Sequence, residues 1–302
     1  MFNHLFDTIK KIKILPILHR SENGCNYLFH IARFDELDPF ISGNKYFKLK
    51  YNIENVLSKK KAGILTMGGA FSNHLVATAN ICNRYGLKSI GLIRGEIPER
   101  LNHTLSYCIS QNMQLIAVPR DAFAKNSEIV EKIIHEISDF HFVPMGGANE
   151  VGIKGAAEMT DMITDYASYD VIICAIGSGT MFKGFQKRIL PHQELIGIPV
   201  IKIQEAEKNA FIKSYITNNN IKVYTGFAGK GYGKPDPNIL ALMNDIYTQH
   251  QLPLDFVYTG KIMNALLRLI DENIIDAKKK ILFIHSGGLQ GNRSLPASAL
   301  IF

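Results

Sequence analysis

The sequence predicts an α/β protein built from two open, twisted, mainly parallel-sheet domains, and three observations carry that expectation. Short apolar runs of strand length alternate with amphipathic stretches, the pattern of parallel sheets covered by helices on both faces. Glycine-rich turns fall where the apolar runs end, as they do where strands hand over to helices. A chain of 302 residues, 46% of them hydrophobic, can bury a large core and is long enough for about two domains.

The runs GILTM at 63–67, SIGLI at 89–93, QLIAV at 114–118, VIICAI at 171–176, LIGIPV at 195–200 and ILFIH at 281–285 are the expected buried strands. A helix is expected after Lys45, where Leu49, Ile53, Val56 and Leu57 share one face. In SEIVEKIIHEI, Ile129, Ile133 and Ile137 recur every four residues, Val130 and Ile134 widen the stripe, and Ser127 can cap the start. GKIMNALLRLI at 260–270 is a further helical pattern. The expected division is a small α/β domain over 59–150 and a large domain combining 1–58 with 151–302.

Composition excludes several function classes. The net charge of +7 and pI near 9.1 permit anion binding. The basic residues are dispersed, however, and the runs Lys10-Lys11, Lys59-Lys60-Lys61 and Lys278-Lys279-Lys280 each border an apolar segment. That is the distribution of solvated helix ends and strand entries, so no nucleic-acid partner is expected. The four cysteines, Cys25, Cys82, Cys108 and Cys174, form no CxxC pair or metal spacing and read as thiols in a reducing compartment, with no metal expected. The opening MFNHLFDTIKKIKILPIL lacks a clean apolar leader core, and no apolar run reaches membrane-spanning length. A cytoplasmic protein without membrane attachment is the expectation.

Four glycine turns follow apolar runs: GGAFSNH after GILTM, GGANEVG after FVPM, GSGT after VIICAI and SGGLQGN after ILFIH. Ligands of open α/β sheets bind beyond the carboxyl ends of strands, so these turns are candidates for one shared cleft. In Gly177-Ser178-Gly179-Thr180, backbone N–H groups, two hydroxyls and a helix start could cradle a phosphate; a plain strand–helix turn is the alternative. The dinucleotide fingerprint fails at Phe182, and the Walker pattern fails because Phe185 follows Gly184 where lysine is required. Lys45 sits where Ser-Gly-Asn bends the chain into a helix, unlike the other lysines. A lysine amine becomes a covalent catalyst by forming a Schiff base with a carbonyl, most commonly with pyridoxal phosphate. Spacing alone goes no further than a phosphate-bearing cofactor.

SGNKYFKL, GGAFSNH, PMGGAN, AIGSGT, VYTGK and IHSGG, in this order, resemble the family of 1-aminocyclopropane-1-carboxylate deaminases and D-cysteine desulfhydrases, pyridoxal-phosphate enzymes with a tryptophan-synthase-β-like fold. The resemblance runs from about Arg33 to the C-terminus. It implies pyridoxal 5'-phosphate as cofactor, a small amino acid as substrate and a homodimer. It also implies site roles. Lys45 would hold the cofactor and move the substrate proton, and Asn73 would hydrogen-bond the ring hydroxyl. Gly177, Ser178, Gly179 and Thr180 would bind the phosphate with help from Lys48. Ser72 would lie by the substrate, Tyr258 near it, and Ser286 at the pyridine nitrogen. A neutral serine there favours elimination over transamination.

Other readings of these residues stand beside the implied ones. Ser72 could act as a helix cap, Lys48 as a surface lysine, and His74 and His285 as satisfied structural histidines. Tyr232 could close over the substrate or pack in its turn. The family's deaminases carry a tyrosine in the strand before the last Gly-Gly turn, where this chain has Phe283. Phenylalanine has no hydroxyl for acid–base work, which favours D-cysteine-type β-elimination over cyclopropane opening. A non-catalytic protein that kept the fold is the reading from another class.

Overall fold

The computed structural model describes residues 11–22, 24–41, 43–123 and 127–302. The first ten residues of the opening segment, including Lys10, and Ser42 of the SGNK motif lie outside them. In chain order the elements are β1 (Ile14–Arg20), β2 (Asn26–Arg33), α1 (Asn44–Ser58), β3 (Gly63–Gly68), α2 (Asn73–Arg84), β4 (Lys88–Arg94), α3 (His103–Ser110), β5 (Met113–Val118), α4 (Glu128–Glu136), β6 (Phe140–Val143), α5 (Glu150–Ala157), β7 (Val171–Ile176), α6 (Thr180–Gln186), β8 (Glu194–Pro199), α7 (Glu205–Lys213), β9 (Ile221–Val223), α8 (Pro237–His250), α9 (Thr259–Asp271) and β10 (Ile281–His285).

Two sheets organise these elements. One has six strands in the order β1-β2-β10-β7-β8-β9; the other has four in the order β5-β4-β3-β6. Every pairing is parallel except β1 with β2, which meet antiparallel with Ile17 opposite Phe29 and Leu18 opposite Leu28. This hairpin at the sheet edge was not among the expected strands, because its alternating burial leaves polar residues between the apolar ones. The six expected strands all form, and three of them, β3, β7 and β10, are buried along their whole length.

Side-chain caps fix where helices begin. The Ser72 Oγ accepts from the His74 and Leu75 amides at 3.2 and 3.4 Å. Asn102, Ser127 and Asn149 cap α3, α4 and α5 in the same way. Ser127 therefore caps as expected, but the α4 stripe is narrower than its periodicity suggests. Val130 is buried, Ile133, Ile134 and Ile137 pack partly against the β3–β4 core, and Ile129 is exposed. At α1 a glycine does what a capping side chain does elsewhere. Gly43 has φ +62°, and a Cβ there would lie 1.9 Å from the Ser286 carbonyl oxygen. The Asn44 amide then donates to that oxygen at 3.2 Å, tying the start of α1 to the end of β10. Among the described residues no helix is long and apolar enough to cross a membrane.

Candidate active site

Lys45 is the second residue of α1, so the Gly43–Ser286 contact sets its position over the carboxyl end of β10. Its Nζ donates to Asn44 Oδ1 at 2.8 Å and lies 5.9 Å from the centre of the Tyr258 ring. A small pocket is lined by Phe40, Lys45, Asn73, Gly288 and Gln290. Burial depresses the Lys45 amine from 10.5 to about 8, against the opposing pull of the Asp255 carboxylate. The side chain keeps some solvent access, so a carbonyl can reach it, while desolvation makes a neutral amine accessible near neutral pH.

The four glycine turns do meet. A Cβ on Gly146, in the turn after β6, would lie 2.8 Å from Ser178, and the Ser178 hydroxyl donates to the Gly146 carbonyl at 3.4 Å. Ser178 and Thr180 share a hydroxyl contact at 3.0 Å, and Gly179 takes φ +78°, a conformation open to glycine because a Cβ would strike Tyr215. Gly177 leaves room for the Tyr258 ring, 3.1 Å from where its Cβ would stand. After β10, Gly288 packs against the Asn73 amide and the Asp255 carboxylate, each 3.2 Å from its would-be Cβ. Asn73 opens α2, and its Oδ1 accepts from Gln290.

Lys48, one turn along α1 from Lys45, is buried beside Gly147. It is not a surface lysine. Its amine is held well below 10.5 by burial and by the neighbouring Lys45 charge. One half-buried and one buried amine beside a turn of backbone N–H groups and hydroxyls form a site that an anion would stabilise, and a phosphate with an aldehyde fits the set.

His74 and His285 are both buried, and the Nδ1 of His74 has no hydrogen-bond partner among the described residues. His74 is depressed to about 3 by burial and by Lys45 and Lys48, and its Nε2 meets Thr66 Oγ1 at 3.0 Å. His285 bridges the Pro253 carbonyl at 2.8 Å and Asp35 at 3.2 Å. Ser72 caps α2, which leaves its hydroxyl proton uncommitted; it adjoins Asn73 but is not among the pocket-lining residues. Ser286 is buried at the end of β10 and reaches the Lys45 segment through its backbone carbonyl. Tyr232 reaches Tyr258 from an exposed turn: its ring is about half exposed, but its hydroxyl lies 2.8 Å from that of Tyr258, and local desolvation with the Asp255 charge raises both phenols.

Asp255 was missed by sequence reasoning. It is fully buried and accepts from the amides of Val257, Tyr258 and Thr259 at 2.8–3.0 Å and from the Thr259 hydroxyl at 2.8 Å. It therefore orients Tyr258 at the start of α9 while placing negative charge near Lys45. The signal was an aspartate two to four residues before the amides it binds, an Asx-type turn. Phe283 is a correction. It is fully buried in the apolar cluster of Ile17, Phe29, Ile31 and Leu266, and it does not line the Lys45 pocket. A tyrosine there would place its hydroxyl in the core, so Phe283 does not discriminate between ring opening and elimination.

Residues 16–287 match the family described as "Pyridoxal-phosphate dependent enzyme". The chain belongs to that family. Among curated proteins it is 29% identical to a Thermotoga maritima protein named "Putative 1-aminocyclopropane-1-carboxylate deaminase", over 93% of this chain and 95% of that one. It is 25% identical to the D-cysteine desulfhydrase of Klebsiella pneumoniae, over 91% and 90%. A crystal structure described as an ACC deaminase homologue superposes with a TM-score of 0.76 at 24% identity, covering 96% of this chain and 95% of that one. The fold is that of the pyridoxal-phosphate enzymes, and pyridoxal phosphate is the cofactor.

Proposed function

We propose that this pyridoxal-phosphate enzyme is a deaminating lyase that eliminates a β-substituent from a small amino acid, in the manner of a D-cysteine desulfhydrase, releasing pyruvate and ammonia. The observation that carries the reading is the convergence of Lys45, Asn73, Tyr258 and the Gly177–Thr180 turn beyond the ends of strands from both sheets. When bound, the cofactor would supply an electron sink for the bonding electrons released at Cα. Lys45 would hold it and would move the Cα proton. Gly177, Ser178, Gly179 and Thr180 would bind its phosphate, with Lys48 offsetting the charge. Asn73 would hydrogen-bond its ring hydroxyl. The α2 N-terminus with Ser72 receives the substrate carboxylate, and Tyr258, steadied by Asp255 and Tyr232, faces the reacting side.

Two observations favour reactions that discharge the electron pair promptly, elimination or ring opening, over transamination. Ser286 presents a neutral group at the end of β10, and the nearby Asp255 carboxylate is saturated by four donors. Neither keeps a pyridine nitrogen protonated, so prompt loss of a leaving group suits this site. Ring opening of 1-aminocyclopropane-1-carboxylate to 2-oxobutanoate is the second reading, motivated by the names of several relatives.

The four-stranded sheet lies wholly within 59–150 and all six strands of the other lie outside it, which supports the division into a small domain and a large one over 1–58 and 151–302. Lys45 and Asn73, one from each domain, already line one pocket, and a relative movement of the domains would tighten or loosen it around a substrate. The test is pyruvate and sulfide release from D- and L-cysteine against 2-oxobutanoate from 1-aminocyclopropane-1-carboxylate, with Lys45→Ala as control. Release of 2-oxobutanoate alone sinks the elimination reading; no oxo acid from any of them, despite a bound cofactor, leaves a non-catalytic protein.

A further inference from the structure

From Phe40, which lines the Lys45 pocket, a run of ring contacts extends over more aromatic surface than a bare thiol substrate requires. Phe40 lines the pocket with Lys45, is 38% exposed, and stacks on Tyr107 with ring centres 4.7 Å apart and planes 11° from parallel. Phe71, immediately before Ser72 and Asn73, is 54% exposed and meets the His103 ring at 5.9 Å. His103 and Tyr107 are four residues apart on α3, so they share one helix face and join the two pairs into an arc. Tyr107 is fixed by Asn80, which donates to its hydroxyl. Burial and the nearby Arg293 charge lower the His103 imidazole below its usual 6.5, so it presents a neutral ring. The charges next to Phe40 are spent on each other, Arg84 pairing with Asp38 at 2.8 Å. Single exposed rings are ordinary; two exposed rings backed by two half-buried ones, one of the exposed rings being a pocket wall, are not.

We propose that Phe40, Phe71, His103 and Tyr107 form a subsite for an aromatic or other bulky apolar β-substituent of the amino-acid substrate. The inference rests on the reading of Lys45 as the cofactor lysine and narrows its substrate class from cysteine itself to S-substituted cysteines and their analogues. The chemistry balances without a further reactant. The Cα proton leaves, the Cβ–S bond breaks with its electron pair going to sulfur, and water releases ammonia and pyruvate with the free thiol as third product. A ring seated in the arc gains offset or edge contacts on two sides, each worth a few-fold in affinity.

The full chain loaded with pyridoxal phosphate tests this first without turnover. Alanine and phenylalanine, each in both enantiomers, have no β-leaving group, and their binding is read from the change in cofactor absorbance. For the enantiomer accepted, phenylalanine binds about tenfold more tightly than alanine, and Phe71→Ala or Tyr107→Ala brings the ratio down several-fold. Turnover follows the same order: kcat/KM for S-benzylcysteine exceeds that for cysteine, and the excess shrinks in both variants. A normal cofactor band with equal binding of the two amino acids overturns the subsite alone. So does a ratio indifferent to both substitutions, including the case where they alter only the sedimentation of the protein. Absence of any Lys45-dependent band overturns the cofactor reading and the subsite with it.

Discussion

Lys45 makes a quantitative prediction about pH. In the unfolded chain its amine titrates at 10.5, and in the folded, cofactor-free chain at about 8. Between those values the unfolded state binds more protons, so stability rises with pH across that window. At about 1.36 kcal/mol per pH unit the interval corresponds to about 3 kcal/mol, and partial solvent access brings this to about 2 kcal/mol. The penalty is fully present below about pH 8 and gone above about 10.5. Lys45→Met removes it. Urea unfolding of the two cofactor-free proteins should therefore show the variant's relative advantage shrinking by about 2 kcal/mol between about pH 7 and pH 10.5. Lys261, whose amine is also depressed but not by Lys45, titrates in both proteins and cancels in the difference, whereas the part of the Lys48 depression caused by the Lys45 charge is removed along with it. The same shift governs cofactor capture, because at about pH 8 the neutral fraction of the amine rises from roughly 0.3% to about half. The rate at which the Schiff-base absorbance appears should climb with pH to a plateau with a midpoint near 8. A midpoint above 10, or a stability difference of constant size across the window, refutes the reasoning.

Four further outcomes follow from the geometry. Asp255→Asn leaves at least one of the amides of Val257, Tyr258 and Thr259 or the Thr259 hydroxyl without an acceptor, costing about 2–3 kcal/mol in urea. Because Asp255 opposes the depression of Lys45, its loss also moves the capture midpoint below 8. Gly43→Ala forces a methyl to within 1.9 Å of the Ser286 oxygen at a positive φ, and is expected to cost about 3 kcal/mol or more with loss of the cofactor band. Tyr232→Phe strips the Tyr258 hydroxyl of its 2.8 Å partner and should lower kcat at least about tenfold with an unchanged far-UV spectrum. Phe283→Tyr buries a hydroxyl in an apolar cluster, so it should destabilise by about 1–3 kcal/mol and leave the ratio of cysteine to cyclopropane substrate unmoved.

The strands were legible because burial on both faces leaves a continuous apolar run, as in Val171–Ile176 and Ile281–His285. Lys45 was legible because a lysine beside a turn glycine, at the start of a helix, is out of place for a solvated charge. Less was visible where the reason lay across the chain. The β1–β2 hairpin has the composition of an edge. Asp255 looks like any loop aspartate until the amides it accepts from are folded around it. Phe283 looked like a reacting-side position because the resembled family's deaminases have a tyrosine at the matching place, and only the packing of α9 and β2 against β10 shows it among core residues.

By itself the sequence determined what local order can encode: alternating strands and helices, glycines where backbone must pass close to something, and one amine set apart from the other lysines. The tertiary structure decided which turns share a cleft, how far burial lowers Lys45, and that Phe40 lines its pocket. Proximity and desolvation are properties of residues far apart in the chain, as Gly43 and Ser286 or Asn73 and Gln290 are, and no local pattern carries them.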